Sequence, residues 1–270
     1  MLKRIFDFVT VLLISAVLLM GATDARGQKI SLIRDAEIEN TIRNFSTPVF
    51  LAANLDPSAV KIHLVRDKTL NAFVAGGQRL FINTGMLTQA KSAEQIIGVI
   101  AHETGHISGG HLARIKDALK GSTATTILSI ILGGAAISAG RGDIGSVIIA
   151  GGQGIVVRNF LSYTRTQEST ADQAALKYLD KVKISARGFL EFMEILGDQE
   201  FRVPERQDPY VRTHPLTRDR VAVIAHHVAN SPYSDNAVSS KFDINFRRAR
   251  AKLYGFLNPI GHTLGVYKES

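Results

Sequence analysis

The sequence predicts an α+β fold, mainly helical, with a small antiparallel sheet. Two observations carry the sheet and the central helix. Short apolar runs at 71–75 and 79–83 flank Gly76-Gly77, a strong hairpin signal. Ser92 followed by Gln95 is a capping-box pattern, and it opens a long helix through Ile96, Ile97, Val99 and Ile100. A third observation makes the fold mainly helical: the segments after residue 160 read as helices.

Taken in order, residues 1–27 read as an export signal. Lys3 and Arg4 precede an apolar run of about a dozen residues, short of the roughly 20 that a spanning helix needs, and small residues follow. A cleaved signal peptide or an uncleaved anchor both fit. Residues 30–55 carry Ile38, Ile42, Phe45 and Val49 at helical spacing, and Pro48 predicts a kink or restart. A strand at 60–66 precedes the hairpin, and Thr84-Gly85-Met86-Leu87 ends the sheet. Residues 122–157 are rich in Gly, Ala, Ser and Thr, charged only at the Arg141-Gly142-Asp143 turn. They predict an apolar helical hairpin that packs on the domain, dips into a membrane surface or spans it. Helices follow at 161–179, 186–196 and 218–228, with a Pro-rich loop at 203–215. A basic segment from Lys241 leads to a turn-rich tail at 258–270. The expected organisation is a 1–27 leader, one domain over 28–257, and that tail.

Composition narrows the chemistry. The 270 residues contain no Cys, which excludes disulfides, thiol nucleophiles and Cys-held metals; any metal must be held by His and carboxylates. Trp is absent too, so stacking platforms for bases or sugars are not expected. The net charge is +8, and losing residues 1–27 lowers it by only one. A basic surface favours anionic partners, but no nucleic-acid-binding motif accompanies it, so a membrane surface is the better match.

His102-Glu103-Thr104-Gly105-His106 is a His-Glu-x-x-His motif within the expected helix. Positions i and i+4 share a helical face, so both imidazoles can reach one Zn²⁺. Glu103, about 100° around the helix, flanks the metal and can act as general base. A third ligand must come from elsewhere. Residue 112, where an extended motif would need His, is Leu112; His111 on a continuing helix would point about 180° away from His102, a decoy that belongs behind a ligand or at the surface. Glu168 and Asp172 stand at i and i+4: Glu168 can ligate, and Asp172 can hydrogen-bond a ligand imidazole and set its tautomer. Glu94, Glu191 and Glu194 are weaker rivals. His214, before Pro215, could stabilise an oxyanion or fill the open coordination position. His63, His226, His227 and His262 read as ordinary packed or surface residues.

Asn71-Ala72-Phe73-Val74, Phe81-Ile82-Asn83-Thr84-Gly85-Met86-Leu87, the His102–His106 motif, Glu168-x-x-Ala171-Asp172 and His214-Pro215…Arg220 together resemble the zinc metallopeptidases of family M48, the CAAX prenyl protease and HtpX family. The chain looks closest to the exported BepA-like protease-chaperone branch, without its C-terminal tetratricopeptide repeats. The resemblance implies a gluzincin-type domain with one Zn²⁺ per chain on His102, His106 and Glu168. It makes Glu103 the base and Asp172 the orienting carboxylate, and it puts His214 and Arg220 near the active site. The expected function is an exported zinc-dependent endopeptidase in quality control of misfolded or misassembled envelope and outer-membrane proteins. The alternative is a latent protease acting chiefly as a periplasmic chaperone or assembly factor. Expected partners are unfolded or misassembled proteins, outer-membrane assembly machinery and a peripheral membrane surface, with no nucleic acid; the expected compartment is the periplasm. Substrate is expected to add as a strand beside the 79–83 edge.

Overall fold

The computed structural model describes residues 31–118, 154–200, 214 and 218–267. The leader, most of the 122–157 hairpin and the 203–215 loop apart from His214 lie outside these residues. In chain order the elements are β1 (Leu32–Ile33), α1 (Ala36–Ala52), β2 (Lys61–Val65), β3 (Ala72–Ala75), β4 (Arg79–Asn83), α2 (Thr84–Gln89), α3 (Ala93–Ser108), α4 (His111–Ala118), α5 (Gly154–Lys181), α6 (Arg187–Glu200), α7 (Arg218–Asn230), α8 (Ser240–Leu257) and α9 (Ile260–Val266).

The expected α+β, mainly helical class holds, with one correction: the sheet is mixed. Its order is β1-β2-β4-β3, with β2 parallel to β4 and the other two pairs antiparallel. The hairpin forms as expected, with Gly76 and Gly77 at φ +54° and +94°, where a Cβ is disfavoured. Strand β2 then docks on the far side of β4. This makes β4 an interior strand, so 79–83 is not an edge; β3 is the edge beside the site, as shown below. Ile62, Leu64, Leu80 and Ile82 of β2 and β4 face the core.

Helix α1 runs unbroken through Pro48. Asp35 caps it, its Oδ1 accepting the Ile38 amide at 3.1 Å. An interior Pro costs about 3 kcal/mol. Phe45, Val49 and Phe50 are fully buried around it, at roughly 1.5–3 kcal/mol each, which offsets the break. Helix α3 is the central element and packs chiefly against α5 and α6. Ser92 caps it, accepting the Gln95 amide at 3.3 Å, while Gln95 Oε1 accepts the Lys91 amide.

Two C-terminal expectations change. The basic segment is a helix, α8, whose stripe of Phe246, Ala249 and Leu253 is buried. The turn-rich tail contains the short helix α9, started where the Pro259 carbonyl accepts the His262 and Thr263 amides. Among the described residues no helix is long and apolar enough to cross a membrane.

Candidate metal centre

Three helices and one loop residue build the site. Helix α3 contributes His102, Glu103 and His106 near its C-terminal end, where every residue from Gln95 to His106 is buried. Helix α5 crosses beside it and contributes Glu168 and Asp172. The crossing is close because residue 105 is Gly: a Cβ there would stand 2.8 Å from the Ala171 carbonyl oxygen. Helix α7 supplies Arg220, and His214 lies in the segment before it.

His102, His106, Glu168 and His214 each present a ligand atom within 4.8 Å of the other three, and all four are buried. His102 Nε2 is 3.1 Å from His106 Nε2 and 3.4 Å from Glu168 Oε2; His106 Nε2 is 3.3 Å from Glu168 Oε1. His214 Nδ1 is 3.3 Å from His102 Nε2 and 3.1 Å from Glu168 Oε2. Three imidazoles and one carboxylate converging at such spacing fit a divalent metal with N/O preference, and Zn²⁺ takes this donor set. Behind the ligand atoms, Asp172 Oδ1 lies 2.8 Å from His102 Nδ1. Arg220 grips Asp172 with two donated bonds, at 2.6 and 2.9 Å, and reaches Glu168 at 3.2 Å.

The charges are arranged accordingly. Against a desolvation that favours the neutral ring, Asp172 and Glu168 push His102 up to about 9. Burial, against the pull of Glu168, pushes His106 down to about 3. Burial opposes ionisation of Glu168, but His214, His102 and His106 hold its carboxyl well below the usual range. Burial likewise opposes ionisation of Asp172, and Arg220 and His102 overcome it. Glu103 differs: burial pushes it up, against the partial counter-pull of His214 and His102. Its neighbours include His214 Nε2 at 3.5 Å and the Val74 amide. A fully buried carboxyl raised towards neutrality beside a metal-ligand cluster is what a proton shuttle needs.

A cleft of about 410 Å³ opens over this cluster, walled by Phe73 and Val74 of β3 and by Glu103, His106, Gln167 and Glu168. Asn71 and Gln167, both in its lining, are more than nine-tenths buried. The Asn71 Oδ1 acceptor and the Gln167 Nε2 donor have no hydrogen-bond partner among the described residues.

The seven residues singled out from sequence converge here. One expectation is corrected. Helix α3 does not continue past Ser108: Gly109 caps it and Gly110 takes φ +62°. The chain turns back, so His111 is buried and its Nδ1 lies 2.9 Å from His106 Nδ1. His111 therefore stays off the ligand set, as expected, and supports His106 from behind; what changes is the helix, which ends instead of continuing. Gln167 was missed, and no sequence signal marks it, since its importance comes only from facing the cleft. The rivals lie elsewhere: Glu94 and Glu191 line a separate polar hollow, and Glu194 is exposed. His63 stacks on Phe81, His227 pairs with Asp180, His226 contacts Asn230, and His262 meets the Tyr254 hydroxyl.

A His-Glu-x-x-His helix crossed by a carboxylate-bearing helix under a sheet edge is the framework of a metallopeptidase. Residues 33–228 match Peptidase family M48, and the chain belongs to that family. It is similar to the beta-barrel assembly-enhancing protease of Escherichia coli strain K12, 26% identical over 231 residues, covering 84% of this chain and 45% of the relative. It is also similar to metalloprotease LoiP of the same strain, 25% identical over 182 residues, 67% of this chain and 66% of the relative. Mitochondrial metalloendopeptidase OMA1 of Schizosaccharomyces pombe is 25% identical over 167 residues, 61% of this chain and 45% of the relative. The chain spans less than half the length of the beta-barrel assembly-enhancing proteases it matches.

Proposed function

We propose that the chain is a zinc-dependent endopeptidase of the cell envelope that hydrolyses misfolded or misassembled envelope and outer-membrane proteins. The observation that carries this is the buried His102, His106, Glu168 and His214 cluster with Glu103 beside it. His102, His106 and Glu168 would hold one Zn²⁺, which supplies Lewis acidity at the scissile carbonyl and makes water a nucleophile near neutral pH. The chain's residues do the rest. Glu103 takes a proton from the attacking water and delivers it to the leaving amine. Asp172, clamped by Arg220, accepts from His102 Nδ1–H and so presents Nε2 to the cluster. The substrate lies as an extended strand along the β3 edge, a revision of the 79–83 expectation. The 1–27 leader, export to the periplasm, peripheral membrane contact through 122–157, and engagement with outer-membrane assembly machinery belong to the same proposal, supported by the sequence and by the relatives' names. The test is metal content and casein cleavage for the wild type and Glu103→Gln. Both should bind one zinc and only the wild type should cleave; robust cleavage by the variant sinks the assignment.

A second reading has one specific observation behind it. His214 Nδ1 is as close to Glu168 and His102 as those ligand atoms are to each other. As a fourth ligand it would keep the protease latent and leave a chaperone or assembly role dominant. X-ray absorption on the zinc-loaded resting protein distinguishes the two: three protein ligands and an open position count against latency.

A further inference from the structure

Three half-buried rings form one row across the outer face of the sheet. His63 of β2 is the register partner of Phe81 of β4, which is in turn the partner of Phe73 of β3. Phe81 stacks on Phe73 with centroids 5.0 Å apart and planes 8° from parallel, and on His63 at 4.9 Å and 23°. At one end of the row, Phe73 stands on the edge strand and also walls the cleft that contains Glu103 and His106.

We infer that this ring row sets the substrate preference of the cleft: an extended peptide lying along β3 is selected for an aromatic side chain at the single position opposite Phe73. The inference rests on the peptidase reading above. Side chains of a strand alternate between faces, so only one substrate position in a given register meets Phe73 on the outer face. An aromatic there adds a fourth ring to the row. Phe73 is already held flat against Phe81, so it loses little rotamer freedom on stacking.

Two observations make the occupant a peptide strand. Phe73 and Val74 of β3 line the same cleft as Glu103, so the β3 edge faces the reacting centre. Asn71 Oδ1 and the Gln167 amide nitrogen are an acceptor and a donor buried in the same cleft with no partner among the described residues, the complement of a peptide N–H and C=O. On the next rung of the outer face stand the exposed Lys61 and Arg79, register partners of each other. They disfavour a basic residue two positions from the aromatic and favour an acidic one.

The test uses unstructured quenched-fluorescence peptides, identical except for one Phe or Leu moved through successive positions. The zinc-loaded chain gives kcat/KM by position; anisotropy on Glu103→Gln gives Kd for the same peptides. At one position Phe is expected to exceed Leu roughly three- to tenfold in both readouts, with the difference in KM and Kd rather than kcat. Phe73→Leu and, separately, Phe81→Leu should bring that ratio close to one; a ratio taken within one variant is insensitive to the fraction folded. No positional preference, or one that persists unchanged in both variants, overturns the inference. Position-dependent binding without any cleavage by the wild type supports the inference and overturns the peptidase reading. Cleavage without positional preference does the reverse.

Discussion

Two clusters of opposite charges in this molecule have nearly the same geometry and opposite settings. Under the metal site, Arg220 meets Asp172 at 2.6 and 2.9 Å with side chains only 4% and 2% exposed. Between α8 and the start of α1, Lys252 meets Asp35 and Glu37 at 2.8 and 2.9 Å, with Lys252 43% exposed. Distance does not separate them, but solvent does. Water takes over as partner when a surface pair opens, so such a pair adds little. A buried pair whose partner is removed leaves a charge stranded in low dielectric. The first cluster therefore holds the site in one geometry, whereas the second only tacks α8 to the N-terminal end of α1.

The largest effect should come from the buried side. Glu103→Gln is expected to lower kcat for a cleaved peptide by roughly 10²–10⁴-fold with zinc content unchanged, measured by steady-state cleavage and elemental analysis. Asp172→Ala comes next. It should cost about 3–5 kcal/mol of stability in chemical denaturation, because Arg220 stays buried after losing its two-bond carboxylate partner and keeps the longer Glu168 contact, and weaken zinc binding about 10–100-fold in a chelator competition. Adding Arg220→Met to Asp172→Ala should recover part of the stability; if it recovers none, the stranded charge was not the cause.

Acid should sharpen the contrast. Burial would raise the Asp172 pKa, but Arg220 and His102 depress it below its ordinary 3.8. Its contribution is thus complete above about 3.8 and lost as pH falls through the lower folded value. Asp172→Asn should flatten that acid limb in pH-dependent denaturation of the metal-free protein. The smallest effect is Lys252→Ala. Burial opposes ionisation of Asp35, but Lys252 and the Ile38 amide together lower it, and Lys252 lowers Glu37 by hydrogen bond and charge. Being exposed, these pairs should contribute only a small drop in Tm, removed by raising the salt concentration. A salt-resistant loss would break the comparison.

Legibility followed locality. His102, Glu103 and His106 were readable because i, i+1 and i+4 on a helix have fixed angular relations whatever surrounds them. Glu168 and Asp172 were readable as an i, i+4 pair, and resemblance supplied their partners. Helix α8 was obscured because charges at 241, 247, 248, 250 and 252 surround the Phe246, Ala249 and Leu253 stripe. His111 was readable as a residue off the metal, but not the route by which it reaches His106: one left-handed residue, Gly110, reverses the chain and resets the helical phase. The parallel pairing of β2 with β4 was illegible, since nothing in either strand names a partner beyond the hairpin.

By itself, then, the sequence determined the metal chemistry and its carrier. With no Cys, a metal site had to be built from His and carboxylate, and the His-Glu-x-x-His spacing put two imidazoles on one face of a capped helix. Only the tertiary structure decided which strand became the edge, that Asn71, Gln167 and Phe73 share a wall with Glu103, and that Arg220 lies beneath Asp172. Those relations join elements far apart in sequence. They arise from packing α3 against α5 and the sheet, a balance of many weak contacts that no local pattern encodes.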